Sequence, residues 1–257
     1  MAALLRSKLA PIGGGSVSLA IKGNLARITI SQPQYKNAMS GKMMTELLDA
    51  VERLERDETV SVVQVTGEGD FFCSGADLSV IREIEGKVMC EFMQETTARL
   101  GALPAITVAL VNGGGCVGGG TEMATACDIR LFGPKASWRC VHPKMGISPG
   151  WGGGRRLASI LGRAKAIDVL CNARKLSGKE CLDIGLCDGI APEGKSLDEY
   201  CQEYLSGALG HPAAAVRACK QSIAALSSDD ELRAFAAVWG AKDFQAALSR
   251  GSSKSPK

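Results

Sequence analysis

Apolar and polar positions alternate twice near the start of the chain: Val17, Leu19 and Ile21, then Ala26, Ile28 and Ile30. A period of two marks strands with one buried face, and Gly23-Asn24 between the two runs predicts a hairpin turn. The period then changes. Met44, Leu47, Leu48, Val51 and Leu54 recur at helical spacing behind Ser40, whose hydroxyl can accept a free N–H of the first turn. Residues 60–66 make the next strand, and residues 106–111 are a run of β-branched and aliphatic side chains with no charge to mark a wet face. Such a run suits a strand covered on both sides. From about residue 155 the pattern is helical: 155–161, 164–171, 178–184, 197–209, 213–226 and 231–248, with one short strand near 186–190. In the last of these Leu232, Phe235, Ala236 and Trp239 share a face.

The strands at 60–66 and 106–111 end in glycine-bearing turns that lead into helix, GEGDFFCSGADLSVI after the first and NGGGCVGGGTEMATACD after the second. A third glycine stretch, GISPGWGGGRR, precedes the helix at 155–161. Repetition of strand, glycine turn and helix predicts an α/β fold, a spiral of β-β-α turns. The division expected is a flexible tail at 1–15, the β-β-α core at 16–195, a helical oligomerisation region at 196–250, and a disordered tail at 251–257. Gly118, Gly119 and Gly120 fall where a loop feeds a helix, so N–H groups without an intrahelical partner face outward beside Glu122. That combination suits a negative oxygen next to an acid–base group. Gly113, Gly115 and Gly118 also fit G-x-G-x-x-G, but the helix that follows is short and no acidic residue closes the next apolar segment to hold a ribose, which argues against a dinucleotide site.

Composition narrows the class. A chain of 257 residues can bury a sizeable core, and a net charge of +3 predicts neither nucleic-acid nor membrane binding. No apolar run is long enough to span a bilayer. Ten cysteines without a C-x-x-C pair or a Cys/His cluster point away from zinc, hence no metal site, and towards a reducing compartment. The cytosol is the expected location. Mitochondria are the alternative, because residues 1–45 lack Asp and Glu while Arg6 and Lys8 punctuate the N-terminus.

Taken in order, the motifs resemble the crotonase (enoyl-CoA hydratase/isomerase) superfamily. They are Phe72-Cys73-Ser74-Gly75-Ala76-Asp77-Leu78, Asn112-Gly113, Gly118-Gly119-Gly120-Thr121-Glu122, Ala126-Cys127-Asp128-Ile129-Arg130 and Met145-Gly146-Ile147 with Pro149 and Gly152-Gly153. The resemblance covers about residues 16–250. It implies a β-β-α spiral core with a helical C-terminal region, trimers or dimers of trimers, and an acyl-CoA thioester as substrate, with coenzyme A as part of that substrate and no further cofactor. It implies an oxyanion hole from the Ser74 and Gly119 backbone N–H groups, with Gly118 beside it. It also places coenzyme A along Ser74, Gly75, Ala76, Asp77 and Leu78, with Lys36 and Ala38 in the loop that flanks the pantetheine arm.

The departures from the hydratase pattern carry more information. Hydratases have a second glutamate where this chain has His142, so hydration loses one of its two carboxylates and isomerisation loses its usual base. The stretch Val141-His142-x-x-Met145-Gly146-Ile147-x-Pro149-x-Trp151-Gly152-Gly153, with Val238-Trp239-Gly240, resembles the ethylmalonyl-CoA decarboxylase branch. That branch implies decarboxylation of ethylmalonyl-CoA, and more slowly of methylmalonyl-CoA, in the manner of metabolite repair. Decarboxylation needs no base, only an oxyanion site, a place for the carboxylate and a proton donor. The suggested division makes Glu122 the donor and His142 the carboxylate anchor, with His142 as the alternative acid. Trp151 is expected to pack, or to wall the acyl pocket, and Arg155 and Arg156 to be a solvated helix start. The competing readings are another reaction of the superfamily, such as hydration, isomerisation or thioester hydrolysis, and a non-catalytic acyl-CoA- or RNA-binding relative.

Overall fold

The computed structural model describes residues 2–252, with side chains described for 5–250. Its strands are β1 (Ser16–Lys22), β2 (Leu25–Ser31), β3 (Val62–Gly67), β4 (Ile106–Val111), β5 (Cys116–Val117), β6 (Ile129–Phe132), β7 (Ser137–Arg139), β8 (Lys175–Ser177) and β9 (Gly189–Ile190). The helices are α1 (Ala2–Leu9), α2 (Gly41–Glu55), α3 (Leu78–Glu83), α4 (Gly86–Ala102), α5 (Gly119–Ala124), α6 (Gly153–Leu161), α7 (Arg163–Cys171) and α8 (Gly178–Ile184). They continue as α9 (Leu197–Tyr204), α10 (Ser206–Gly210), α11 (Ala213–Ala224), α12 (Ser228–Ala236) and α13 (Lys242–Ser252).

One sheet has the order β1-β2-β3-β4-β6-β9, with β1 antiparallel to β2 and every later pair parallel. A small second sheet, β5-β7-β8, stands beside it. Strands β3 and β4 are buried on both faces, with Gln64, Thr66 and Thr107 buried among their aliphatic residues. Val63, Val65, Ala109 and Val111 face the main core with α2 and α4. Val62, Val108, Leu110 and Leu131 face a smaller core closed by Cys201 and Leu205. Alternate residues of one strand thus serve two layers. The result is the expected β-β-α spiral with a helical C-terminal region.

Three local features differ from the sequence reading. The first fifteen residues, expected as a flexible tail, contain α1, and Leu5, Leu9 and Ile12 are buried against the core. Their apolar side chains outweigh the basic residues between them, so the packed unit begins upstream of Ser16. The helices expected at 197–209 and 231–248 are each broken. The first divides at Leu205. The second divides around Gly240, whose φ of +77° an α-helix does not accommodate. Finally, α4 fills a stretch for which the sequence pattern named no element, because its buried face includes Thr96 and Thr97 beside Phe92, Met93 and Leu100. Helix α13 reaches Ser252, and the remainder of the tail expected at 251–257 lies outside the described residues.

Candidate active site

Strand β3 delivers the turn at Ser74, and β4 delivers the glycines before α5. The two turns meet through main chain. Cys73 and Cys116 form a parallel bridge, and Val117 N–H donates to Cys73 O at 3.0 Å. Gly75 has φ +102°, and a Cβ on it would lie 3.0 Å from the Gly119 nitrogen. A Cβ on Gly120 would lie 2.1 Å from the Cys73 carbonyl oxygen. Only glycine allows both approaches. Among the described residues, neither the Ser74 nor the Gly119 N–H has a backbone acceptor. Two unengaged N–H groups can hold an oxygen that gains negative charge during a reaction. The Ser74 hydroxyl is separately engaged, donating to Tyr35 O at 3.1 Å. Burial pushes the adjacent Cys73 thiol up to about 12, which leaves it without nucleophilic character.

A cleft of about 690 Å³ opens from Ser74. Lys36, Ala38, Ala76, Asp77 and Leu78 line it, as the sequence suggests for a coenzyme A ester, while Gly75, Gly118, Gly119 and Trp151 do not. The Asp77 carboxylate is not free. It caps α3 by accepting from Ser79 N and Oγ, each at 2.8 Å, and from Gln32 Nε2 at 2.9 Å. Burial opposes the charge, but those bonds to Ser79 and Gln32 outweigh it and hold the carboxyl below its usual range. Lys36 has left-handed geometry with φ +53°, and its ammonium lies 5.6 Å from the centre of the Phe71 ring. Arg82 and Gly14, which no sequence pattern pointed to, also line the cleft. They come from separate segments, and neither sits in a motif.

Glu122 and His142, twenty positions apart, are brought together: His142 Nε2 lies 3.1 Å from Glu122 Oε1. Both are buried, at 3% and 4% exposure. Glu122 Oε1 also accepts from Gly150 N–H at 3.2 Å, and Oε2 from Trp151 N–H at 2.7 Å and Gly153 N–H at 2.9 Å. Every one of these backbone partners is a donor, so the carboxyl group is arranged as an acceptor. Nε2 of His142 then carries hydrogen, and Nδ1 is the ring atom left for other work. Nδ1 is buried and has no hydrogen-bond partner. Val141, the preceding residue, packs at Gly118, where a Cβ would be 3.4 Å from its Cγ2. The pair therefore stands next to the glycine turn.

Trp151 is buried with its ring on Gly119, where a Cβ would lie 2.7 Å from Cη2 and Cζ3. Arg156 is not the solvated helix-start residue expected. Its Nη2 donates to Trp151 O at 2.7 Å and to Glu122 O at 2.9 Å. Burial draws its proton affinity below the ordinary arginine value. Arg155, by contrast, is exposed as expected. Among the described residues, no group of three or more His, Cys, Asp or Glu could hold a metal ion, and no helix is long and apolar enough to cross a membrane.

Residues 20–249 match the family described as enoyl-CoA hydratase/isomerase. The ethylmalonyl-CoA decarboxylase of Danio rerio is 40% identical over 254 residues, which span 92% of this chain and 83% of that protein. Among solved structures, the enoyl-CoA hydratase from Bacillus anthracis superposes with a TM-score of 0.85 at 26% identity, covering 93% of this chain and 96% of that one. A protein from Thermobifida fusca YX, solved in complex with acetoacetyl-CoA, gives a TM-score of 0.75 at 26% identity over 98% of both chains.

Proposed function

Because the chain belongs to the enoyl-CoA hydratase/isomerase family, we propose that it is an acyl-CoA carboxy-lyase acting on ethylmalonyl-CoA and methylmalonyl-CoA. The observation that carries this reading is the partner of Glu122, an imidazole 3.1 Å away in place of a second carboxylate. Adding water to a double bond calls for two acid–base carboxylates on one water, and this site offers one, already engaged with backbone donors. Decarboxylation asks for less. The thioester oxygen sits on the Ser74 and Gly119 amides. The bond from the α-carbon to the carboxylate breaks, its electron pair passes into the thioester, and CO2 leaves. The resulting enolate is stabilised only once charge has developed, which is where amide donors act best. A proton then adds to the α-carbon, giving butyryl-CoA from ethylmalonyl-CoA.

The geometry favours His142 over Glu122 as the proton's source. Glu122 holds Nε2–H and fixes the ring, while Nδ1 has no other partner; to act as the acid, Nδ1 first takes a proton from water to give the imidazolium, and transfer to the α-carbon leaves the neutral Nε2–H ring. Coenzyme A enters as part of the substrate along the cleft from Ser74 to Leu78, where Lys36 and Arg82 bring positive charge for its phosphates. We also propose a homotrimer or a dimer of trimers. Ile223, Leu226, Leu232, Phe235 and Trp239 are exposed on the C-terminal helices and the turns between them, an apolar surface of the kind that subunit contacts cover.

The test is incubation of the protein with ethylmalonyl-CoA, methylmalonyl-CoA and crotonyl-CoA, followed by mass spectrometry. Loss of CO2 from the first two, with little or no gain of water by the third, is the expected result. Hydration of crotonyl-CoA at a rate comparable to ethylmalonyl-CoA turnover would overturn it.

A further inference from the structure

Trp151 combines a bulky side chain, a fixed backbone and a place beside the Gly119 amide. Its indole is 2% exposed, and its six-membered ring covers Gly119, where a Cβ would meet Cη2 and Cζ3 at 2.7 Å and Cε3 at 2.9 Å. The ring therefore lies against one of the two residues that offer an amide to the thioester oxygen. Its own backbone has no slack. Trp151 N–H donates to Glu122 Oε2 at 2.7 Å, and Trp151 O accepts from Arg156 Nη2 at 2.7 Å and, at 2.9 Å, from the Thr97 hydroxyl, whose one proton is shared with Met93 O at 2.8 Å. The preceding residue is fixed as well: Gly150 O accepts from Gln94 Nε2 at 2.9 Å, and Gly150 N–H donates to Glu122 Oε1 at 3.2 Å. On the other side, Gly152 has φ +83°, and a Cβ there would lie 2.8 Å from Arg156 Nη1. Four side chains from three helices thus hold a strap of main chain so that one indole cannot retreat.

We infer that Trp151 determines acyl-chain length, forming a fixed wall that admits a short α-substituent and excludes longer ones, with Thr97 as a positioning residue for that wall. The inference rests on the acyl-CoA reading above and adds its size limit. A packed interior does not yield to an extra methylene without displacing side chains. Here the usual route of relief, a shift of the loop that carries the ring, is blocked by hydrogen bonds to both its N–H and its C=O. A mobile wall would adapt to several chain lengths, whereas this one should set a sharp limit.

The experiment measures binding of neutral, straight-chain acyl-CoAs from acetyl to hexanoyl by calorimetry, so that it does not depend on turnover. In the wild-type protein the affinity should level off or fall beyond butyryl. In Trp151→Ala it should continue to rise through hexanoyl by about fourfold per methylene, the gain of one buried CH2. Thr97→Val removes the hydroxyl bond to Trp151 O at nearly constant volume, and should move the limit outward by about one methylene. Thr97→Ser should restore the wild-type limit, an outcome that a purely structural role for Thr97 would not give. Trp151→Leu supplies a second, better-filled wall variant should the alanine protein fail to fold. The same chain-length profile in the wild type and in the folded Trp151 variants would overturn the inference. A wild-type protein that binds none of these thioesters would instead remove the acyl-CoA reading beneath it.

Discussion

Lys220 reaches from α11 across to the core and places its ammonium 2.6 Å from Asp128 Oδ2. The same oxygen accepts from Thr107 N–H at 2.7 Å and from Thr107 Oγ1 at 2.9 Å, so a C-terminal helix is tied through Asp128 to the start of β4. Lys220 also donates to Ala105 O at 2.9 Å and to Gly101 O at 3.2 Å. Its side chain is only 13% exposed. Lys220→Met keeps the apolar stem and leaves the Asp128 oxygen without its cation. It should cost roughly 2–3 kcal/mol, less than a fully buried pair because Asp128 is partly wet. Urea unfolding checks this, and a change below about 0.5 kcal/mol, the range of an ordinary surface substitution, would show that α11 docks by apolar contact alone.

The two amides and the Ser74 hydroxyl can be separated by mutation. Ser74→Ala loses only the hydroxyl bond to Tyr35 O and should retain most activity. Ser74→Pro deletes the N–H and should lower kcat by about 10²–10³-fold, the usual cost of one oxyanion donor. Binding of butyryl-CoA, with a circular dichroism spectrum, controls for backbone distortion. Equal loss in both folded variants would make the hydroxyl, not the amide, the working group.

Glu122 and His142 should fail differently. His142→Ala should reduce kcat by about 10²–10⁴-fold while butyryl-CoA still binds. Glu122→Gln turns an amide NH2 towards backbone donors, so it should lower turnover and also lower the melting temperature, with a stability cost of about 1–3 kcal/mol. Near-normal turnover in a folded His142→Ala would return proton delivery to Glu122 or to solvent. Loss of neutral-ligand binding by that variant would recast His142 as structural.

Asp77 gives the cleft loop a pH dependence. Its folded-state carboxyl is held below the usual range, so it contributes stability that is present above the unfolded value of about 3.9 and lost as pH falls through the lower folded value. Melts of the wild type and Asp77→Asn should differ at pH 6 and converge towards pH 3. A constant gap between them would place the effect elsewhere.

The exposed apolar face on α11, α12 and the residues after it should be covered in solution. Light scattering should give three or six times the 26.9 kDa chain mass. Leu226 is 98% exposed, so Leu226→Glu should shrink the assembly without unfolding the subunit. A stable monomer across micromolar wild-type concentrations would refute the assembly.

Where local chemistry decides an element, the sequence was readable. Strand β4 is bounded by Ala105 and the glycine turn and was found at both ends. Ser40 caps α2 by accepting from Met43 N–H, as its position suggested. Helix α8 carries a Ser177–Glu180 capping box, which fixes its start within the sequence itself. The strands β5, β7 and β8 are two or three residues long, too short to display a period. The proximity of Glu122 to His142 followed from motif positions. The clamp on Trp151 did not, because Gln94 and Thr97 on α4 lie more than fifty residues from the main chain they hold. Arg156 read as solvated for a similar reason: its acceptors are carbonyl oxygens, which no side-chain pattern reveals.

The joint between Gly75 and Gly119 separates two kinds of heritable change. The turns that carry the Ser74 and Gly119 amides touch backbone to backbone, and a side chain at Gly75 or Gly120 would force them apart. The positions proposed to face the acyl group, Trp151 and His142, lie on a different part of the chain. On that reading, substitution at His142 can alter what happens to the enolate without touching the joint, whereas Trp151 packs on Gly119 and changes with it. A lineage with this joint can therefore exchange side chains around it by small steps, each starting from a protein that still folds and still holds both amides in place.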